Sequence, residues 1–192
     1  MPTAMSTTMD PKVVALIVIA IIAVLLIIWA VVRQRRTANL KQRYGPEYDR
    51  ILRESGPRKA EATLLEREKR VEKFHIRALP PDERERFITE WRSVQSRFVD
   101  DPKSAVNQAD QLVERVMQAR GYPMSDFEQR AADISVTHPQ VVANYRAAHQ
   151  IALRHQQGQA TTEDLRQAMI YYRSLFDDLL EPVPAGPRRE VA

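Results

Sequence analysis

Twenty consecutive residues without a charged or strongly polar side chain, Val13 to Val32 (VVALIVIAIIAVLLIIWAVV), constrain this chain more than any other feature in it. At 1.5 Å per residue such a helix spans about 30 Å, the thickness of a bilayer's hydrocarbon core. A cleaved signal peptide calls for a basic leader, a shorter apolar region and a small-residue exit. Here the leader offers Asp10 and Lys12, and the exit reads Trp29-Ala30-Val31-Val32-Arg33. The expectation is one uncleaved transmembrane helix over 13–32, after a short tail over 1–12. No Gly-xxx-Gly falls within the run, and its alanines make no clear small-residue seam, so dimerisation through it is not indicated.

Charge gives the direction. Arg33, Arg35, Arg36, Lys41 and Arg43 follow the apolar run, while the side-chain charges before it cancel. The positive-inside rule then places the following domain in the cytoplasm and the N-terminus outside, with Trp29 as an interfacial aromatic. Trp29, Arg33, Arg35, Arg36, Lys41 and Arg43 are therefore the candidate membrane-interface residues, and a bilayer with anionic headgroups is their expected partner. From Arg33 to Arg77 the chain carries 14 Lys+Arg against 7 Asp+Glu; from Ala78 onward the count is 14 against 17. The basic pI of 9.5 thus belongs to a neck over 33–77. A nucleic-acid domain would carry its basic stripe on the folded part, so nucleic acid is not expected as a partner.

The remaining pattern is helical. Pro46 and Pro57 interrupt the neck, and Ala60, Leu64, Val71 and Phe74 form a thin apolar face between them and His75. A bundle of about five helices is expected over 78–181. Phe87, Trp91, Val94 and Phe98 stripe its first helix, and Asp101-Pro102 caps the second, which Gly121 ends. Ser125 and Glu128 read as a capping box for the third helix, which contains Phe127, Ala131 and Ile134. The fourth follows His138-Pro139 and carries Tyr145 and His149, and Thr161 or Thr162 caps the last. Residues 182–192, rich in proline, read as a disordered tail. The fold class is all-α: one N-terminal transmembrane helix, a basic helical neck, and a compact bundle.

The sequence assembles no catalytic or cofactor-binding motif. Cysteine is absent, which excludes thiolate nucleophiles and cysteine-ligated metals. The five glycines stand apart as punctuation, so no phosphate-cradling loop forms, and neither Gly-x-Ser-x-Gly nor His-Glu-x-x-His occurs. His149 and His155, six residues apart, cannot form the i, i+4 pair of helical zinc sites; His149 reads as a partly buried, hydrogen-bonded side chain near Tyr145. Asp177, Asp178 and Glu181 oppose the dipole of the last helix. They read either as a partner-facing acidic edge beside Phe176 and Leu180, or as a helix end relieved by a nearby arginine. No catalytic, cofactor or metal residue is assigned, and the chain is not read as an enzyme.

Several strings carry a resemblance: Arg43-Tyr44-Gly45-Pro46-Glu47-Tyr48-Asp49, Arg97-Phe98-Val99-Asp100-Asp101-Pro102, Arg120-Gly121-Tyr122-Pro123, Tyr145-Arg146-Ala147-Ala148-His149 and Thr162-Glu163-Asp164-Leu165-Arg166-Gln167-Ala168. Together, over roughly residues 40 to 180, they resemble an uncharacterised family of bacterial single-pass membrane proteins with a helical soluble domain. The resemblance implies a bacterial plasma-membrane protein and brings no catalytic residue. Three functional readings follow. The first is a membrane-anchored interaction or scaffold module with an unidentified protein partner. The second is an extracytoplasmic helical domain acting in envelope or stress physiology, and the third an enzyme with an unrecognised site.

Overall fold

The structure is a computed structural model that describes residues 11–181, apart from the side chains of 11–19 and of Arg36. The tails expected over 1–12 and 182–192 lie almost wholly outside these residues. Within them the chain is all-helical: α1 (Pro11–Tyr44), α2 (Pro46–Ser55), α3 (Pro57–Val71), α4 (Pro81–Arg97), α5 (Pro102–Ala119), α6 (Phe127–Thr137), α7 (Val142–Gln156) and α8 (Thr162–Leu180). It divides into two compact units, the first ending at Gln42 and the second beginning at Arg43.

In the first unit α1 runs unbroken past the expected span. Among the described residues no helix is long and apolar enough to cross a membrane. The reason is local: of the run Val13 to Val32, only residues 20–32 have described side chains, roughly 20 Å of helix. Large apolar side chains from Ile21 to Val32 are 43–63% exposed.

The second unit starts each of its first four complete helices with proline at the first position, where the missing N–H has no intrahelical acceptor to lose. Asp101 caps α5 by accepting from the Ser104 N–H, as expected, and Thr161 caps α8 in a reciprocal box with Asp164. At α6 the expectation fails. Asp126 is the cap, accepting from Gln129, and Ser125 is not, because a carboxylate one residue later reaches the same end of the helix. The core joins α4 to α8 through Trp91, Val106, Leu112, Val116, Tyr145, Leu165, Tyr172 and Phe176, among others, and Trp91 stacks on Phe176 at 4.7 Å.

The stretch read as a neck contributes to this unit. Tyr48 and Ile51 of α2, and Ala60, Leu64 and Val71 of α3, are buried. α2 packs on α3 and α7, and α3 on α6. The thin apolar face seen in the sequence is thus enough to seat a helix, because a polar network completes the contact.

Candidate functional site

The expected interface residues do not act together. Arg33 lies over the Trp29 ring at 5.2 Å, a cation–π contact. Ala30, Gln34, Thr37, Ala38 and Lys41 share that flank of α1 with them. Arg35 is exposed, and the side chain of Arg36 is outside the description. Arg43 goes elsewhere: its Nη1 pairs with Glu68 of α3 at 2.8 Å and its guanidinium rests on the Tyr44 ring at 5.6 Å. It shares Glu68 with the Tyr44 hydroxyl, which donates at 2.8 Å.

Polar clusters lie between helices of the second unit, built by residues far apart in sequence. The first centres on Glu47 of α2, which is 2% exposed. Arg50 donates to it at 2.8 and 3.0 Å, Arg67 of α3 at 2.8 Å, and Arg146 of α7 at 3.4 Å. Burial pushes the Glu47 carboxyl up, but the hydrogen bonds from Arg50 and Arg67 and the charge of Arg146 outweigh it and hold the group below the usual carboxylate range. Beside it Arg70 pairs with the buried Asp133 at 3.0 Å. Glu47 stands in the quoted string Tyr44-Gly45-Pro46-Glu47-Tyr48. Its burial could not be seen because its partners lie 20 and 99 residues away.

A second cluster joins α5, α6, α7 and α8. Arg130 pairs with Glu114 and donates to the Ser125 carbonyl at 2.7 Å. Burial raises the Asp110 carboxyl, partly offset by the facing Tyr172 hydroxyl and Arg130, and raises the Tyr145 hydroxyl to about 12. His149 is partly buried, as expected, and its ring stacks on Phe127 with centroids 3.5 Å apart and planes 8° from parallel. Burial and the charge of Arg130 push its pKa down.

The third cluster closes the C-terminal end of α8. Arg120, fully buried, donates Nη1 to the Leu179 carbonyl, and to that of Glu181 at 3.4 Å. Arg84 reaches the Leu180 carbonyl at 3.3 Å, and the buried His138 meets Asp178 at 2.5 Å. The acidic helix end is therefore relieved by arginines, as the second of the two sequence readings held. The apolar neighbours named with that edge are buried, Phe176 being 1% and Leu180 8% exposed, while Asp177 stays 59% exposed.

These clusters hold helices together: Glu47 and Glu114 are met by arginine, Asp133 by Arg70 and Gln129, and Asp178 by His138. Among the described residues no group of three or more His, Asp or Glu side chains is placed to hold a metal ion. Open grooves lie on the surface of the second unit. One of about 510 Å³ between α4 and α5 is lined by Glu90, Gln108, Gln111, Glu114 and Gln118; another of about 460 Å³ lies between α7 and α8. Comparison of the chain with protein-family models, with curated proteins and with solved structures finds no match.

Proposed function

We propose that this chain is a single-pass membrane protein that holds a helical interaction module at the inner face of a bacterial plasma membrane. The observation that carries the reading is the exposure of Ile21, Ile22, Val24, Leu25, Leu26, Ile27, Ile28, Val31 and Val32 on all sides of one helix. At about 25 cal/mol per Å² of apolar surface, a helix apolar all round is unfavourable in water and stable in hydrocarbon, where its own backbone bonds satisfy every polar group. Val13 to Ile19 extend the run to bilayer length. Trp29 and Arg33 mark its end. Arg33, Arg35, Arg36 and Lys41 set the orientation and meet anionic headgroups. The second unit, whose polar clusters lie between its own helices, is left to bind a protein partner.

The lack of cysteine supplies the test. Ser6→Cys and Val99→Cys are made separately, Val99 being 83% exposed, and intact cells are treated with a membrane-impermeant maleimide. Labelling at position 6 alone is expected. Labelling at position 99 alone would invert the protein and support an extracytoplasmic domain. Release of the chain from membranes by alkaline carbonate would overturn the anchor itself.

A further inference from the structure

The α2–α3 hairpin is buried against the second unit without joining its core. None of its buried apolar residues, Tyr48, Ile51, Ala60, Leu64 and Val71, belongs to the continuous core of α4 to α8. α6, on which α3 rests, is buried on two faces. Ala131 and Ile134 enter the core, whereas Ala132, Asp133, Ser135 and Val136 are buried outside it.

The charges along this seam are arranged unusually. On the hairpin side Glu47 keeps two partners within the hairpin itself, Arg50 and Arg67. Arg43 and Tyr44 are likewise bound to Glu68 of α3. On the other side Asp133 accepts from Gln129 one helical turn away at 2.8 Å, Arg146 pairs with Glu128 at 2.6 Å, and the Ser135 hydroxyl donates to the Ala132 carbonyl at 2.6 Å. Among the described residues, Arg67 to Ser135 at 3.2 Å, Arg146 to Glu47 at 3.4 Å and Arg70 to Asp133 at 3.0 Å cross the seam. Two of these are long, and the third uses an arginine that is already 44% exposed. Breaking a buried ion pair is ordinarily expensive because it strands a charge. Here each charged group retains a partner, or gains water, when the two sides part.

The ends of the hairpin fit the same division. Gly45, at φ +47, precedes it. After Val71 a short turn leads to Arg77, whose N–H is fixed to the Arg120 carbonyl at 2.9 Å, and Ile76 and Leu79 pack on the core. The chain is thus pinned to α5 a few residues beyond the hairpin.

We propose that residues 43–71 open as one unit along the α6–α7 seam while α4 to α8 remain folded, uncovering Ala132, Asp133, Ser135 and Val136 of α6. Partial opening of this kind is a separate cooperative step below global unfolding. Native-state hydrogen exchange of the full chain in lipid nanodiscs, read by peptide mass spectrometry at low urea, tests it. The amides of α2 and α3 are expected to share one opening constant, at least about tenfold larger than that of α5 and α8. Arg70→Gln, which removes a partly exposed pair crossing the seam, is expected to raise that constant about two- to fivefold and leave α5 and α8 unchanged. A single common opening for α2, α3, α5 and α8 would overturn the proposal. So would independent opening of α2 and α3, or acceleration of all helices alike by Arg70→Gln.

Discussion

Gly121 ends α5 in a position that only glycine fits, and the consequence can be worked from two terms. Its φ is +92, and the Tyr122 N–H returns to the Met117 carbonyl at 3.0 Å, closing the helix in a Schellman turn. An alanine there adopts a left-handed backbone at a cost of about 1–2 kcal/mol. Its Cβ would also lie 2.5 Å from the His75 carbonyl oxygen and 3.3 Å from the carbonyl carbon. The obstacle is backbone, fixed nearby by the Arg77 N–H on the Arg120 carbonyl, so relief requires the 75–77 segment to shift. Forced overpacking of this kind costs about 1–3 kcal/mol. The stiffer unfolded chain returns about 0.4–1 kcal/mol. Gly121→Ala should therefore destabilise the second unit by about 3 kcal/mol.

Gly158 supplies the matched control. It ends α7 in the same way, with φ +72 and the Gln159 N–H on the Arg154 carbonyl at 2.8 Å, but a Cβ there meets nothing within 4 Å. Gly158→Ala should cost about 1 kcal/mol, the left-handed strain less the chain-entropy gain. Urea unfolding of the full chain in detergent micelles reads the difference through Trp91, which stacks on Phe176 in the core. With a slope of about 2 kcal/mol per molar urea, the midpoint for Gly121→Ala should fall about 1 M below that for Gly158→Ala. Equal midpoints would show that the His75 carbonyl yields freely and would refute the argument from close approach.

Arg120→Ala empties a fully buried site and orphans the carbonyls at the end of α8; a loss of about 3 kcal/mol or more in the same urea assay is expected. Glu47→Gln leaves Arg50, Arg67 and Arg146 around a neutral amide, and should cost about 3 kcal/mol, with hydrogen exchange showing the loss in α2 and α3 first. Burial holds the pKa of both His138 and His149 below the ordinary histidine value of 6.5. The unfolded chain then binds their protons at higher pH than the folded chain does, so stability is full above about pH 6.5 and falls as pH drops toward the folded values. Urea midpoints at pH 7.5 and 5.5 should show this decline, and His138→Gln should reduce it.

What could be read from sequence was whatever depends on neighbours within two helical turns. The Asp101-Pro102 start of α5 and the Thr161 cap of α8 are local, and both are present. Ser125 was misjudged within the same range, since Asp126 competes for the same donors and a carboxylate accepts more strongly. The polar clusters are different in kind. Glu47 is ordinary by composition, and it becomes a buried hub only when Arg67 and Arg146 arrive from other helices. The stacking of His149 was out of reach for the same reason, because Phe127, its partner, lies 22 positions earlier on α6. Nothing in the sequence told which of the many arginines would be drawn inside.

That distinction bears on the orientation argument. The excess of seven positive charges counted over residues 33–77 joins two populations. From Arg43 onward ten cations stand among seven acids, and Arg43, Arg50, Arg67 and Arg70 are engaged in ion pairs within the second unit. These charges hold α2 and α3 in place and say little about a membrane. Arg33, Arg35, Arg36 and Lys41 remain, four cations without an acidic residue between them, all within about ten residues of Val32. The positive-inside rule counts charges close to the apolar segment and gives acids little weight. The proposed orientation therefore rests on these four residues and not on the basic pI of the whole chain. Replacing all four with glutamine would remove the bias. If the label at position 6 then remained as strong as in the unaltered chain, orientation would be set by something other than the charges that follow the span.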